Sequence, residues 1–299
     1  MFEWTKTITR EEHGQLLRDI LRSKLGISQR MLNDLKFRGE ISLNQTPVTV
    51  RVRVKAGDVL RLALAEPGKS RVEPESTTLE IVYEGPDVLI VNKPAGVLIH
   101  PLPHEQRGTL ANAIAGYYRD SGADRPVRIV TRLDRATSGL VLVAKHALAQ
   151  HHYGATADRL RRYYLALVEG SMDTAYGVIK APIAVNPSNP VTRVVDERSG
   201  KPAATEYRVL RVLGTASLLE LRLLTGRTHQ IRVHLSHIGH PLLGDAQYGG
   251  STELIQRQAL HCHRLHLIDL RTQEEMIVSS PLPPDIADAA ATLTGTSLS

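Results

Sequence analysis

Apolar residues recur at helical spacing between Gly14 and Leu25, at Leu16, Leu17, Ile20, Leu21 and Leu25, and Gly26 ends the run. Ser28 is a good N-cap for a second helix with Met31, Leu32 and Leu35 on its apolar face, and Gly39 ends that one. The period then shortens. Ile41-Ser-Leu43, a turn at Asn44-Gln45, the alternation Val48-Thr-Val50-Arg-Val52-Arg-Val54 and the run Val59 to Leu64 predict short strands. Residues 1–72 read as a small α/β module.

The stretch 66–78 is rich in Pro, Ser, Thr and charge and reads as a linker. Beyond it, Leu79–Tyr83 and Val88–Val91 flank Glu84-Gly-Pro-Asp87, a strong hairpin signal. Thr109 is placed to cap a helix running to about Tyr118. The apolar run Leu140 to Ala144 reads as a buried strand, the stretch from His146 to Arg162 as partly helical, and Tyr164 to Val168 as another strand. Two long β segments, Thr205–Val212 and Ser217–Leu224, surround Gly214. Thr228 is expected to cap a helix with Ile231, Leu235 and Ile238 on one face, stopped by Gly239 and Pro241. The pattern predicts an α+β body over residues 79–285 with a mostly antiparallel mixed sheet. Residues 286–299, ending in Thr-Gly-Thr-Ser-Leu-Ser, are expected to form a flexible tail.

Composition narrows the class. The chain has 299 residues, 42% of them hydrophobic, which fits a globular protein of about two domains. No apolar run approaches the ~20 residues that span a bilayer. Met1 to Lys6 lack a signal-peptide core, and the single cysteine, Cys262, excludes an internal disulfide. A cytoplasmic monomer is the expectation. The distribution of charge says more than its total. Residues 1–72 hold 14 lysines and arginines against 8 acidic residues, while the rest balances 23 against 23, so the whole net charge of +6 lies in the first quarter. A basic module beside a neutral body suggests a polyanion-binding appendage on a catalytic domain.

Candidate chemistry concentrates in Val130-Thr-Arg132-Leu-Asp134-Arg135-Ala-Thr-Ser-Gly139-Leu140, where one carboxylate stands between arginines before a buried strand. Positive neighbours favour an ionised carboxylate, which can act as nucleophile or electrostatic stabiliser. Three other segments accompany it: Arg162-Tyr-Tyr164 at the head of a strand, Gly200-Lys201 before Thr205, and Gly226-Arg227-Thr-His-Gln-Ile-Arg232-Val-His234 with Gly239-His240-Pro-Leu-Leu-Gly244-Asp245 and Tyr248-Gly-Gly250. His229, His234, His237 and His240 crowd one stretch. Only His234 and His237 share a helix face, and no Cys-x-x-Cys or His-Glu-x-x-His pattern is present, so no metal site is expected.

Together these blocks resemble the RluA-type pseudouridine synthases over most of residues 79–270, with Asn92-Lys93-Pro94-Ala-Gly96 as a further matching block. The resemblance implies a pseudouridine-synthase-like catalytic domain that isomerises uridine in ribosomal or transfer RNA without metal or organic cofactor. It implies that Asp134 is the catalytic aspartate, Tyr164 the tyrosine that packs on the target base, and Arg227 the arginine that pairs with the aspartate. Arg132 matches the arginine that fills the stack vacated by the flipped base. Thr131 stands where many members have His, and Arg162 where Lys is common. Residues 10–65 resemble the S-four-type RNA-binding module at Ser28-Gln-Arg30, Gly39-Glu-Ile41 and Lys55-Ala-Gly-Asp-Val59, departing where Asn44-Gln45 replaces the usual Asn-Gly. Arg18, Arg22, Arg30, Lys36 and Arg38 are the resulting candidates for RNA contact.

The chemistry agrees with the resemblance. A stacked uridine cannot present its anomeric carbon to a side chain until it is extruded, at a cost of a few kcal/mol that phosphate contacts offset. Two other classes stay open on the sequence: a non-catalytic RNA-binding or ribosome-assembly protein, and a glycosidase or nucleoside hydrolase. With two Phe and one Trp, a single-strand stacking platform is not evident. A glycosidase needs a second positioned carboxylate.

Overall fold

The fold, taken from a computed structural model, is described for residues 2–64, 70, 72–123, 125–155 and 157–295. The module comprises β1 (Phe2–Thr7), α1 (Leu17–Ser23), α2 (Gln29–Arg38), β2 (Gly39–Leu43), β3 (Thr46–Pro47) and β4 (Val59–Leu64). Its strands form a four-stranded antiparallel sheet in the order β1-β4-β2-β3. Ser28 caps α2 as its residue type predicts, its hydroxyl accepting from the Met31 amide at 3.2 Å. The tight turn is made by Asn44 and Gln45 at φ 51° and 66°, so Gln45 occupies the left-handed position usually given to glycine.

Val48 to Val54 depart from expectation. The alternation does bury Val50 and Val54, but the segment is not a strand. Its carbonyls serve a helix start instead: Val52 and Val50 accept from the Leu17 and Arg18 amides at 2.9 and 2.8 Å. Those amides have no partner within α1, so an extended chain passing its N-terminus satisfies both sets of groups.

The body continues with β5 (Ile81–Glu84), β6 (Val88–Lys93), α3 (Leu110–Asp120), β7 (Arg128–Ile129), β8 (Ser138–Ala144), α4 (Ala147–Ala155), β9 (Leu160–Glu169) and β10 (Tyr176–Lys180). Then come β11 (Ile183–Asn186), β12 (Asn189–Val195), β13 (Ala204–Leu213), β14 (Ala216–Leu223), α5 (Gln230–His237), β15 (Leu260–Ile268), β16 (Glu275–Ser279) and α6 (Pro284–Thr294). Ten strands make one sheet, ordered β10-β13-β14-β9-β15-β8-β6-β5, with β16 beside β15 and β7 beside β8. Its pairings are antiparallel except β15 with β8. The mostly antiparallel α+β body is as the pattern predicts, and the hairpin at Glu84–Asp87 and the Thr109 cap of α3 are both present. Gly139, at φ 117°, marks where β8 passes β15: a Cβ there would sit 2.3 Å from the Cys262 carbonyl oxygen.

Two segments expected to be loose are packed. Residues 65–69 and 71 of the linker, and 296–299 of the tail, lie outside the described residues. The rest of the linker lies on α3, with the Asn112 side-chain amide donating to the Glu73 carbonyl at 2.8 Å. Residues 286–294, expected to be part of the flexible tail, belong to α6 (Pro284–Thr294). Ile286, Ala289 and Ala290 are buried there in a small core with Leu167, Leu213 and Ile255. Three well-spaced apolar residues suffice for a docked helix, and the polar terminus obscured them.

The module is fastened to the body. Arg159 Nη1 donates to the Leu25 carbonyl at 2.9 Å, and Nη2 lies 3.5 and 3.4 Å from the Ser23 and Lys24 carbonyls. These are the unpaired acceptors at the end of α1, where a cation is favoured. Gly26 makes room: it turns at φ 67°, and a Cβ would meet the Arg159 guanidinium at 2.0 Å.

A buried ion cluster closes the far end of the body. Asp87 accepts from Arg271 Nε and Nη2 at 2.7 Å each and lies 2.8 Å from His146 Nε2. Burial raises the Asp87 carboxyl, but the His146 and Arg271 hydrogen bonds outweigh it and hold the group below its ordinary 3.8. Its contribution is complete at neutral pH and fades as acidification passes through that lowered value. Arg271→Met should cost about 3 kcal/mol of unfolding free energy near pH 7, read by urea denaturation, because it strands a buried carboxylate. The deficit should shrink towards pH 3. An equal deficit at both pH values would exclude the ion pair as its cause.

Candidate active site

Asp134 sits on the loop between β7 and β8, with its side chain 27% exposed. The loop is fixed from several sides. Leu133 is buried. Thr131 is buried too, and its hydroxyl accepts from the Leu142 amide at 2.9 Å, so the residue that replaces the family's His acts as a loop anchor. Lys93, at the end of β6, is fully buried and spends three N–H groups on the carbonyls of Pro94, Val97 and Arg135 at 2.8, 2.9 and 2.9 Å. Burial, chiefly, and the Arg257 charge lower its pKa to about 7, although Asp134 pulls the other way. Arg257 Nη1 donates to the Ala136 carbonyl at 3.1 Å, while its Nε and Nη2 pair with Asp285 of α6 at 2.6 and 2.8 Å. The helix that the sequence pattern presents as a tail therefore braces the aspartate loop.

The arginine facing Asp134 is Arg232, and this corrects the assignment of Arg227. Arg232 Nη1 lies 3.4 Å from Asp134 Oδ2. Arg227 is exposed, donates through Nε to the Pro202 carbonyl at 3.2 Å, and has its amide on the Gln230 side chain at 3.0 Å. Arg232 is buried in α5 and itself held: Nε and Nη2 meet Asp245 at 2.7 Å each, Nη2 donates to Gln247 at 2.7 Å, and the guanidinium lies over the Tyr248 ring at 4.7 Å. The fork geometry suits an arginine. A sequence signal for it existed. Arg232 falls between Ile231 and Val233 on a helix that must bury itself, and a buried guanidinium demands a carboxylate, which Asp245 supplies.

The helix does not start as expected either. Thr228 is exposed and is not the N-cap of α5; His229 occupies that position in the left-handed conformation at φ 56° and ψ 19°, without a side-chain capping bond. Its Nε2 lies 3.9 Å from Asp134 Oδ2, and its Nδ1 lies 2.8 Å from the Tyr248 hydroxyl.

Tyr164, on β9, is buried opposite Cys262 of β15. Burial, with Cys262 and the charge of Asp134, pushes its phenol well above the usual range, so it stays a neutral O–H at physiological pH. Burial likewise raises the Cys262 thiol to about 12. Arg132 is exposed on the same loop as Asp134, close enough to His100 to join burial in lowering that imidazole. Arg18, Arg22, Arg30, Lys36 and Arg38 are all exposed on or beside α1 and α2. His234 is a core residue, its ring nitrogens 2.9 Å from the Thr205 hydroxyl and the Ala181 carbonyl. Among the described residues no group of three His, Cys, Asp or Glu could hold a metal ion, and no helix is long and apolar enough to cross a membrane.

The comparisons with known proteins point one way. Residues 87–237 match the family model for RNA pseudouridylate synthase. An uncharacterised RNA pseudouridine synthase of Bacillus subtilis, YhcT, is 39% identical over 289 residues, covering 95% of both chains. The ribosomal large subunit pseudouridine synthase D of Pasteurella multocida is 38% identical over 259 residues, covering 81% of this chain and 79% of that one. Among solved structures, human RNA pseudouridylate synthase domain containing 1 superposes with a TM-score of 0.56 at 30% identity, over 75% of this chain and 90% of that one. With an Asp134 loop, an arginine-bearing helix and a buried tyrosine strand set on a mostly antiparallel sheet, this chain belongs to the RluA-type RNA pseudouridine synthases, enzymes that isomerise uridine within RNA.

Proposed function

We propose that Asp134 performs the isomerisation on a flipped-out uridine, that Arg232 orients it, and that large-subunit ribosomal RNA is the substrate. The observation that carries the reading is the geometry of Asp134. Among the described residues, its ion-pair contacts at 3.4 and 3.9 Å both fall on Oδ2, which leaves Oδ1 for the substrate in this reading. Whether that oxygen attacks the anomeric carbon or removes the ribose 2′ proton, it must be aimed at the sugar, and Arg232 serves that need. Tyr164 supplies a ring beneath the base and a neutral hydroxyl, which excludes it as a phenolate base. Arg132, exposed on the same loop as Asp134, fills the space the extruded base leaves. The choice of RNA rests on relatives named as ribosomal large subunit pseudouridine synthases, 38% and 36% identical.

The basic module supplies affinity in this reading. Its five exposed cations, Arg18, Arg22, Arg30, Lys36 and Arg38, lie on helices held to the body through Arg159.

Asp134→Asn should abolish pseudouridine formation, read as a carbodiimide primer-extension stop, with RNA affinity nearly unchanged. Turnover within about tenfold of wild type would overturn the assignment. Arg232→Lys should cost on the order of a hundredfold in rate, since a lysine cannot replace the fork that spans Asp245 and Asp134. Arg227→Ala should stay within about tenfold. The reverse ranking would restore Arg227 to the role of the aspartate's partner. Replacing the five cations by glutamine should weaken RNA binding and lower the slope of log affinity against log salt by about 0.7 to 0.9 for each phosphate no longer neutralised. The single-turnover rate at saturating RNA should stay within about tenfold. An unchanged slope would remove these residues from the interface.

A further inference from the structure

His229 is the one residue at the site held in a backbone conformation that costs energy. A left-handed φ of 56° is uncommon outside glycine, and such strain persists only where the surroundings enforce it. Here they do. The Tyr248 ring meets the imidazole edge-on at 5.7 Å, and the Tyr248 hydroxyl lies 2.8 Å from Nδ1. The same hydroxyl accepts the Arg193 backbone N–H at 2.8 Å. With that amide supplying a proton from β12, the Tyr248 O–H is left to donate to Nδ1. A neutral imidazole then carries its own proton on Nε2, the nitrogen 3.9 Å from Asp134 Oδ2. The opposite tautomer would aim a lone pair at the carboxylate and leave the phenol proton without a partner.

We propose that His229 is a positioning residue for the aspartate: a neutral, Nε2-protonated imidazole locked by Tyr248, which closes on Asp134 Oδ2 and turns Oδ1 to the flipped uridine. The inference rests on Asp134 being the reacting group. A closure of about 1 Å converts the 3.9 Å approach into an ordinary N–H···O hydrogen bond. Arg232 approaches the same oxygen, so the two donors together define the plane of the carboxylate. Burial, foremost, pushes the imidazole below the usual histidine range. Arg232 and Arg193 add to that, and Asp134 and Asp245 oppose it. The ring is therefore uncharged when it faces the carboxylate, and it orients Asp134 without neutralising it.

The test uses the full-length enzyme and RNA isolated from cells that lack it, which carries the target unmodified. Single-turnover rates at saturating RNA and RNA affinities are measured for wild type, Asp134→Asn, His229→Gly, His229→Gln and Tyr248→Phe. Glycine removes the donor yet suits the left-handed backbone, so His229→Gly should fold with an unchanged or higher melting temperature. Its saturating rate should fall about ten- to a hundredfold, the worth of one hydrogen bond to a charged group, with affinity within about twofold. His229→Gln, whose amide N–H reaches the same side, should recover most of that loss even if the backbone strain lowers its stability. Tyr248→Phe should lose about tenfold, because the tautomer is no longer fixed. A His229→Gly rate within about threefold of wild type, beside an inactive Asp134→Asn, would overturn the proposal. So would a loss confined to affinity, or failure of glutamine to rescue. An active Asp134→Asn would instead overturn the assignment of the aspartate, whatever the histidine variants do.

Discussion

A buried guanidinium organises this site. Arg232 sits in a helix between apolar neighbours and cannot stay charged there without a carboxylate. Asp245 meets it through two bonds of 2.7 Å, which uses the Nε–Nη2 edge of the fork and leaves Nη1 to Asp134. The order of these demands matters. The internal pair satisfies most of the desolvation cost, so the approach to Asp134 can be long, 3.4 Å, and the aspartate remains free to react. A shorter, fully desolvated Asp134 pair would bind the carboxylate too well to release it to a substrate. The turn carrying Asp245 also brings Tyr248 under the guanidinium, so one helix and the turn after it build one side of the site.

The other side is made of close packing. The aspartate loop enters β8, every residue of which is buried, and only a glycine at 139 lets that strand lie against β15. Tyr164 and Cys262 face each other across β9 and β15, and burial keeps both protonated. Charged groups from loop and helix thus stand beside neutral, buried groups from the sheet.

What could be read from the sequence follows the range of the interactions. Local signals succeeded: the Ser28 and Thr109 caps, the hairpin at Glu84–Asp87 and the buried run at Leu140–Ala144 depend on residues a few positions apart. Errors arose where a distant partner decided. Val48–Val54 alternates like a strand, but a helix N-terminus takes its carbonyls. Thr228 has the side chain of a cap, yet Tyr248 and Asp134 draw His229 into that position. Arg227 stands at the conspicuous end of its motif, while Arg232 is identified by a burial that only the fold creates. Residues 286–294 look like a trailing end, but a few apolar side chains, with Asp285 just before them, fasten the helix behind the aspartate loop.

If the module binds RNA as proposed, its attachment bears on how that RNA is presented. Arg159 ties three carbonyls at the end of α1 to the body, and His151 Nε2 lies 2.7 Å from the Gly26 carbonyl and 3.0 Å from the Ser28 amide. These contacts use backbone groups that helix ends leave unsatisfied, so releasing the module would expose them again. The basic helices α1 and α2 are therefore held in a set relation to α4 and, through the sheet, to Asp134. A flexibly tethered basic domain would only raise the local concentration of RNA. A fastened one also restricts which uridine reaches the pocket, because phosphates gripped at one end fix the span to the base flipped at the other. In this arrangement site selection becomes partly a matter of distance and angle between two rigid surfaces.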